Sequence, residues 1–299
     1  MSETTSKVTV GMPVYNNGAT LRRAVESVLA QSSRPCSIII SDDASVDDTG
    51  DIAKSLAVAY PTVTYVRQKA NLNHHGNFRF VLMQATTPYF MWLAGDDYID
   101  RDYISRTAAV LDTNMDVVTC VSNVLFKLPD GSSRLAQGTY PLMQDSASNL
   151  ARYLSDPTDN SRLFGLHRTA VIRAAFPKSD FLIGYDWAAM AATLTKGKHA
   201  RVPETLMFRE GTPPEAYLRM IRRYYRFPPL RMVPMARMSW DLLWRVGLPH
   251  DLGVLRALVA VNLMMHIQYM CYYHPVYIPF GSFLEQSVLW RLRTALNQD

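Results

Sequence analysis

Residues 36–45 read Cys-Ser-Ile-Ile-Ile-Ser-Asp-Asp-Ala-Ser, and residues 89–97 read Tyr-Phe-Met-Trp-Leu-Ala-Gly-Asp-Asp. In both stretches a hydrophobic, strand-like run ends in a pair of aspartates. Carboxylates at the carboxyl ends of parallel strands open into the crevice where α/β sheets bind ligands. Two neighbouring aspartates repel each other, so both ionise more easily when a divalent cation or a polar ligand lies between them. The arrangement therefore favours a nucleotide diphosphate bound with such a cation.

Alternating strand and helix patterns surround these two stretches. Apolar runs predict strands at 7–14, 36–40, 62–66, 89–94 and 116–122. Helical spacing of apolar residues predicts helices between them, at 21–29, 52–59, 78–85 and 100–111. This α/β alternation predicts a mainly parallel, Rossmann-like sheet flanked by helices. Beyond residue 122 the alternation stops, with a turn at 127–132 and shorter helices predicted at 147–154, 169–175 and 187–195.

The composition indicates a folded protein whose charge is unevenly distributed. Of the 299 residues, 48% are hydrophobic and 19% are charged, and the formal net charge is +5. From Glu215 onward ten arginines and no lysine stand against five acidic residues, so this part carries the whole excess of +5. The composition also shifts around residues 211–214. We therefore predict a catalytic domain at 1–212 and a helical C-terminal region at 213–299.

Cysteine usage and hydropathy favour a cytoplasmic protein. Cys36 and Cys120 fall in predicted buried strands, so we expect reduced core thiols and no disulfide framework. The N-terminus lacks the basic start and apolar run of a secretion signal. Polar side chains interrupt the most apolar stretch, 257–273, which predicts a buried or interfacial helix and not a membrane span. We expect a cytoplasmic protein that is either free or peripheral at the inner face of the membrane.

Several short motifs follow one another in order: Pro13-Val14-Tyr15-Asn16, Ser27 to Gln31, Ser41 to Thr49, Asn71 with Gly76-Asn77, and Trp92 to Asp97. With these motifs the chain resembles the inverting, nucleotide-sugar-dependent glycosyltransferases of family 2. The resemblance covers roughly residues 7–210 and implies the GT-A fold. The chain departs from the commonest pattern at Ala94, where many members carry a further aspartate.

The resemblance implies a nucleotide site in the first half of the chain. Asp42 and Asp43 would recognise the base, since a carboxylate accepts a hydrogen bond from the imide N–H of uracil or thymine. The opposing wall would consist of Pro13, Tyr15 and Asn16. Arg67 would help to hold the nucleotide, with a surface arginine as the alternative. A second alternative is that Asp43 merely shapes a turn before the following helix.

The second aspartate pair would act on the rest of the donor. By resemblance, Asp96 would approach the ribose, and Asp97 would bind Mg²⁺ or Mn²⁺ bridging the two phosphates. Such a cation neutralises the charge that builds on the departing nucleoside diphosphate. An acidic loop that caps the helix at Asp100 is the alternative.

Residues later in the chain would serve the acceptor and the diphosphate. Residues 183–187 resemble a motif of the family in which an aspartate opens a helix beside the acceptor, so Asp186 is the predicted general base. A helix-capping aspartate is the alternative. By resemblance, His167 would contact the acceptor or a phosphate, and Arg209, on a flexible segment, would close over the diphosphate. The adjacent His74 and His75 should point apart, which argues against a two-histidine metal site.

The C-terminal region is basic and aromatic, with four arginines between Tyr217 and Phe227 and Trp240 and Trp244 beyond them. This composition suits a helix on an anionic bilayer, where lipid-linked acceptors reside. The alternative is a helical addition that packs on the catalytic domain or on a second subunit. No nucleic-acid recognition motif accompanies the charge, so nucleic acid is not an expected partner.

These features together predict an inverting glycosyltransferase. It would move a sugar from a UDP- or dTDP-sugar to a hydroxyl of a surface glycan or a lipid-linked acceptor. A sugar-phosphate nucleotidyltransferase is one rival, but it needs a glycine-rich basic loop after the first strand, and residues 13–18 do not provide one. The other rival is a non-catalytic glycan- or partner-binding protein with the same fold, which only Ala94 favours.

Overall fold

A computed structural model provides the architecture of the chain. It describes residues 7–33, 35, 37–178, 183–211, 233, 235–248 and 251–273, with side chains of the last helix up to Ile267. Within these residues the chain forms a nine-stranded sheet flanked by helices. Eight of the strands form one continuous path of hydrogen-bonded neighbours, and the ninth pairs with one of them.

The first half of the sheet is parallel. Its strands are β1 (Val8–Val14), β2 (Ser37–Asp42), β3 (Val63–Arg67) and β4 (Tyr89–Trp92). The helices between them are α1 (Gly18–Leu29), α2 (Thr49–Ala59) and α3 (Asn73–Gln84). The central strand β1 pairs with β2 on one side and with β4 on the other. The strand order thus reverses at β1, which makes its carboxyl end the switch point where such sheets bind ligands.

The second half of the sheet is mixed. Its strands are β5 (Tyr98–Ile99), β6 (Val117–Lys127), β7 (Ser133–Leu135), β8 (Leu166–Arg168) and β9 (Lys198–Glu210). Its helices are α4 (Tyr103–Thr113), α5 (Ser146–Ser155), α6 (Thr169–Ala175) and α7 (Tyr185–Leu194). The short β8 runs antiparallel to both β4 and β6 and so joins the two halves. Strand β9 is parallel to β6, and β5 is antiparallel to β9.

The core lies on both faces of the parallel strands. All seven residues of β1 and all four of β4 are buried, as expected for strands covered by helices on both sides. Trp92 is fully buried, and its indole N–H donates to the carbonyl of Phe78 at 3.0 Å. Phe90 packs edge-on against Trp92, with ring centroids 4.8 Å apart. This aromatic cluster fixes α3 against the sheet beside the carboxyl end of β4.

The predicted α/β class is confirmed, with differences in detail that include the following three. Helix α3 begins at Asn73, five residues before the predicted start at 78. Strand β6 continues to Lys127 and forms the hairpin with β7. Strand β9 was not predicted, because Pro203 and several charged residues interrupt its apolar pattern. A register shift opposite Asn123 accommodates this proline, whose carbonyl accepts a hydrogen bond from the Asn123 amide at 2.5 Å.

The described C-terminal helices pack onto the sheet domain. Helix α8 (Ala236–Trp240) continues into a π-helical turn (Asp241–Val246), and α9 (Leu252–Tyr273) packs against α5. Their buried side chains join the same hydrophobic core as the sheet. In the described part of the chain, no helix combines the length and the apolar character that crossing a bilayer requires.

Some predicted features lie outside the described residues. These are Cys36, the basic aromatic cluster at 217–227 and the predicted boundary between residues 212 and 213, which stays a prediction. Cys120 is described, and its thiol is free and buried, as predicted.

The shared core predicts that α9 contributes to the stability of the whole domain. Val261 is fully buried in that core, whereas Val259 is 69% exposed on the same helix. Val261→Asp buries an unpaired charge, so we expect it to lower the free energy of unfolding by about 3 kcal/mol. The matched change Val259→Asp should alter it by less than about 0.5 kcal/mol. Urea denaturation followed by tryptophan fluorescence measures both, and equal effects would contradict the packing.

Candidate active site

The side chains of Asp42 and Arg67 hold the loop that follows β2. Asp42 is fully buried, and its Oδ2 accepts hydrogen bonds from Arg67 Nη1 at 2.7 Å and from the Tyr65 hydroxyl at 3.0 Å. Its Oδ1 accepts from the Ser45 backbone N–H at 2.8 Å. The other arm of Arg67, Nη2, donates to the Ser45 carbonyl at 2.8 Å. The structure therefore gives both side chains a scaffolding role, and the nucleotide contact predicted for them stays a prediction.

Asp43 is the second carboxylate of this loop. Its backbone N–H donates to the carbonyl of Val14, which places it beside the end of β1. One carboxylate oxygen, Oδ1, accepts a hydrogen bond from the Leu72 backbone N–H at 2.6 Å. Burial raises the pKa of Asp43, against the lowering effect of the backbone N–H donors of Leu72 and Asn73. Asp43 thus lies at the switch point, where the sequence predicts a nucleotide base.

The residues after β1 form the facing side of this loop. Asn16 adopts a left-handed backbone, with φ of 53°. Its backbone N–H donates to Ser45 Oγ at 2.9 Å, and its side-chain Oδ1 accepts from the Val46 N–H at 2.9 Å. Pro13 is buried within β1, whereas the Tyr15 ring is half exposed. Of the three predicted wall residues, Tyr15 and Asn16 therefore present free surface, and Pro13 does not.

The loop after β4 carries Asp96 and Asp97 at the same edge of the sheet. Asp97 is only 1% exposed, and its Oδ2 accepts from Arg209 Nε at 2.9 Å while Oδ1 accepts from the Glu210 N–H at 3.1 Å. Burial raises the pKa of Asp97 to about 6, although Arg209 opposes this shift. Asp96 is partly exposed, and its carbonyl accepts from Arg23 at 2.6 Å.

Asp96 and Asp97 are the residues of this edge that could hold a divalent cation. Within the described ranges, no group of three or more His, Cys, Asp or Glu side chains could hold a metal ion, and Ala94 adds no ligand. Mg²⁺ is often bound through one or two carboxylates together with substrate phosphates, and the two aspartates fit that mode. Each oxygen of Asp97 already accepts one hydrogen bond, and Oδ2 accepts it from Arg209, so a cation there would compete with the guanidinium.

Arg209 lies at the centre of the site. Its guanidinium stacks on the Phe164 ring, with the central carbon 3.9 Å from the ring centroid. The charge of Arg209 also lowers the pKa of His74 and that of Asp186. The segment that carries it is strand β9, so the prediction of a flexible segment is wrong.

Asp186 lies in the first turn of α7, where the N-terminal end of a helix favours a carboxylate. Gly184 precedes this helix with a left-handed backbone, φ of 77°. The Oδ2 atom of Asp186 accepts a hydrogen bond from Asn160 Nδ2 at 3.0 Å. Burial raises the pKa of Asp186, and the Asn160 hydrogen bond opposes that shift. Asp186 is therefore a carboxylate at the start of a helix whose proton affinity is raised by burial.

Two of the histidines near the site, His167 and His75, are buried in the core. His167 is fully buried, with Nδ1 bonded to Thr119 Oγ1 at 2.9 Å and Nε2 to the Leu163 carbonyl at 2.8 Å. Both ring nitrogens thus form hydrogen bonds inside the core. This arrangement contradicts the prediction that His167 contacts the acceptor or a phosphate. His75 is also buried and bonds the Pro177 carbonyl at 2.9 Å.

The rings of His74 and His75 both contact the Tyr185 ring, with centroids 5.7 Å and 4.9 Å from it, so the prediction that they point apart is wrong. The Nδ1 atom of His74 is hydrogen-bonded to the hydroxyl of Tyr185, which directly precedes Asp186. Although the ring has solvent contact, the protein around it, Arg209 and His75 lower its pKa to about 4. His74 is therefore a neutral imidazole beside the predicted base, a position that its place in the sequence did not reveal.

Comparison with known proteins decides the family. The sequence model described as glycosyl transferase family 2 matches residues 9–174, more than half of the 299 residues. The chain belongs to glycosyl transferase family 2.

Curated relatives of this family 2 chain match part of it. The uncharacterized glycosyltransferase YibD of Escherichia coli is 30% identical over 128 residues, which are 42% of this chain and 37% of that protein. The uncharacterized protein Rv1520 of Mycobacterium tuberculosis is 32% identical over 121 residues, which are 40% of this chain and 35% of that protein. The chain thus matches less than half the length of these relatives.

Solved structures resemble the family 2 chain over nearly its whole length. S. aureus TarS 1–349 in complex with UDP has a TM-score of 0.56 at 15% identity, covering 96% of this chain and 87% of that one. The mannosyltransferase PcManGT from Pyrobaculum calidifontis, in complex with GDP-Man and Mn²⁺, has a TM-score of 0.51 at 14% identity, covering 98% and 88%. These likenesses show the fold, which is the predicted GT-A fold.

The scaffold role of Asp42 in this family 2 chain can be tested by stability. Asp42→Asn keeps the shape of the side chain but removes the charge that Arg67 and Tyr65 bind, so we expect a lower melting temperature. The matched change Asp51→Asn breaks an exposed ion pair with Lys54, and such pairs add little to stability. Thermal denaturation monitored by circular dichroism measures both variants. A melting temperature of Asp42→Asn equal to that of Asp51→Asn would contradict the scaffold role.

Proposed function

We propose that the protein is an inverting glycosyltransferase that moves a sugar from a UDP- or dTDP-sugar to a hydroxyl of a surface glycan or a lipid-linked acceptor. One observation carries this proposal: Arg209 pairs with Asp97 and packs on the Phe164 ring, and Phe164 belongs to the aromatic cluster that includes Tyr185, the neighbour of Asp186. The edge proposed for the diphosphate and a carboxylate whose pKa is raised by burial are therefore joined through one set of contacts. Transfer of a sugar from a nucleoside diphosphate to a hydroxyl needs these two elements side by side.

The nucleotide end of the donor is assigned to the loop after β2. Oδ1 of Asp43 is engaged by Leu72, and Oδ2 would accept the imide N–H of a pyrimidine. The half-exposed Tyr15 ring would pack against the base, and Asp96 would approach the ribose. Family 2 membership and the solved TarS complexes with UDP and UDP-GlcNAc support a nucleotide sugar as donor.

The diphosphate is assigned to Asp96, Asp97 and Arg209. We propose that Asp96 and Asp97, with phosphate oxygens, hold Mg²⁺ or Mn²⁺, which when bound neutralises charge on the leaving diphosphate. Arg209 would release Asp97 and turn its guanidinium toward the phosphates. A guanidinium largely shielded from water stabilises such a developing charge more strongly than one in bulk solvent. The complex of PcManGT with Mn²⁺ supports the cation for this fold.

Asp186 is the proposed general base. The acceptor hydroxyl attacks the anomeric carbon from the side opposite the diphosphate, and its proton passes to the Asp186 carboxylate. The bond between the anomeric carbon and the diphosphate oxygen breaks in the same step, which inverts the anomeric centre. Burial raises the pKa of Asp186, and a carboxylate of higher pKa accepts a proton more readily.

We further propose that the C-terminal helices contact an anionic membrane surface. Their outer faces carry large exposed apolar side chains: Trp240 (66%), Trp244 (67%), Leu252 (61%), Val259 (69%) and Leu263 (43%). A hydrogen bond of 2.7 Å from Asn262 to Ser239 joins α9 to α8, so these faces are neighbours. The excess charge of +5 from residue 215 onward complements anionic lipid, and exposed tryptophans favour the membrane interface.

The assignment of Asp43 and Asp186 predicts two different defects. We expect Asp43→Asn to weaken UDP binding about 10- to 100-fold, because it loses a charge-assisted hydrogen bond to the base. Asp186→Asn should bind UDP normally and lose about 10²- to 10⁴-fold in the rate of donor hydrolysis. Calorimetry with UDP and release of UDP from a panel of UDP- and dTDP-sugars measure the two effects, with the exposed change Asp116→Asn as control.

Two results would contradict these assignments. Tighter binding of GDP than of UDP would contradict the pyrimidine site. A wild-type protein that binds UDP but turns over no donor would favour the non-catalytic alternative.

The membrane proposal predicts binding to anionic vesicles. We expect the protein to sediment with phosphatidylglycerol vesicles and not with phosphatidylcholine vesicles, and more weakly as salt is raised. Trp240→Ser with Trp244→Ser should abolish this binding, whereas Met115→Ser, at an exposed apolar residue elsewhere, should not. Absence of vesicle binding, or a dimer in solution that the tryptophan changes dissociate, would contradict the proposal.

A further inference from the structure

Two consecutive hydrogen bonds, the first buried and the second partly buried, lead to Asp186. The hydroxyl of Tyr153 in α5 donates to Asn160 Oδ1 at 2.7 Å, and Asn160 Nδ2 donates to Asp186 Oδ2 at 3.0 Å. Tyr153 is fully buried and Asn160 is only 3% exposed. Three separate segments therefore meet at this carboxylate: α5, the loop before the short 3-10 turn Ser161–Phe164, and the start of α7.

The chemistry of the three groups permits one orientation of the Asn160 amide. An ionised carboxylate only accepts hydrogen bonds, so the NH₂ group of Asn160 must face Asp186. Its carbonyl oxygen then faces Tyr153 and accepts the phenolic hydrogen. The reversed amide would place two acceptor oxygens against each other in a buried site, which is costly. The carboxylate thus selects the amide orientation, and the Tyr153 hydroxyl, which can donate, holds the amide oxygen in it.

The backbone of the loop is built to hold Asn160 in place. Asn160 has a left-handed φ of 47°, which asparagine tolerates better than most residues, and Thr158 has a left-handed φ of 49°. Gly138 lies against the loop so closely that a Cβ atom there would be 2.6 Å from Thr158 Oγ1. Asp159 accepts the backbone N–H groups of Gln137 at 2.9 Å and Ser161 at 3.1 Å. The strain of a left-handed backbone at Thr158 and Asn160 persists only because the surrounding contacts hold the loop in this conformation.

We propose that Asn160 is a positioning residue that fixes the orientation of the Asp186 carboxylate and favours its ionised form, with Tyr153 as its anchor. This inference rests on the proposed function, in which Asp186 is the general base. A carboxylate held at one oxygen presents a fixed direction to the acceptor hydroxyl, and proton transfer depends on that geometry.

The electrostatic surroundings give the expected sign of a change at Asn160. Burial raises the pKa of Asp186, and the Asn160 hydrogen bond is the largest of the effects that lower it. Arg209 of β9 also lowers it. Burial keeps Tyr153 of α5 neutral by raising its pKa, and His74 of α3 is neutral because its pKa is lowered to about 4. Removal of the Asn160 amide therefore raises the pKa of Asp186, and the base stays protonated to higher pH.

The test is the pH dependence of donor hydrolysis by Asn160→Gly. Glycine tolerates the left-handed backbone and removes only the side chain. The substrate is the UDP- or dTDP-sugar of the panel that wild type hydrolyses fastest. We expect the acidic limb of the profile of kcat against pH to shift to higher pH by roughly one unit. At pH values on the acidic side of that limb, kcat should be about tenfold lower than in wild type. The KM for the donor should change less than about twofold, since the nucleotide site is separate.

Two further variants make the test specific. Tyr153→Phe removes the anchor and should shift the same limb in the same direction by a smaller amount. Thr158→Gly alters a left-handed residue of the same loop that does not touch Asp186, so its profile should match wild type. UDP binding by calorimetry shows that each variant is folded. If Asn160→Gly does not fold, the test is the comparison of the pH profile of Tyr153→Phe with that of Thr158→Gly.

The outcomes separate this inference from the proposed function. Full turnover by Asp186→Asn would overturn the proposed function itself. Loss of turnover by Asp186→Asn, with wild-type pH profiles for Asn160→Gly and Tyr153→Phe, would overturn the role of Asn160 alone. A lower melting temperature for Asn160→Gly with an unchanged profile would also overturn it, because that result shows only a structural contribution.

Discussion

The ion pair between Arg209 and Asp97 joins the two halves of the sheet. Asp97 follows the parallel strand β4, and Arg209 belongs to β9 of the mixed half. A carboxylate as buried as Asp97 needs such a partner, since an unpaired buried charge is strongly destabilising. The same guanidinium acts on His74 and Asp186. One arginine thereby links the edge assigned to the diphosphate with the residue assigned to the acceptor.

The carboxylates at this edge differ in what they are free to do. Asp42 is fully used by Arg67, Tyr65 and Ser45, so its neighbour Asp43 is the carboxylate left for a base. In the proposed reaction the pair of Asp97 with Arg209 must open, because the cation and the diphosphate need both groups. The bond between Asn160 and Asp186 can persist throughout, because it engages one carboxylate oxygen. The site thus combines a permanent support for the base with an exchangeable ion pair.

Sequence reasoning was most accurate where strands are short, apolar and bounded by turn residues. The strands β1 to β4 and the aspartates at their ends were predicted because the apolar pattern and the composition both indicate strands there. Strand β9 was missed because Pro203 interrupts its pattern, and so Arg209 was assigned to a flexible segment. His167 matched a family position, but a sequence does not show that both ring nitrogens face the core. Asn160 gave no signal, since it lies in an irregular loop and its partner Asp186 is 26 residues away along the chain.

The central claim is that Asp43, Asp97, Arg209 and Asp186 surround one nucleotide sugar at the carboxyl edge of the sheet. A crystal structure with UDP and Mn²⁺ tests it most directly. The account predicts the uracil imide on Asp43 and the diphosphate between Asp97 and Arg209, with their direct ion pair opened. UDP bound away from this edge, or bound there with the ion pair intact, would contradict it.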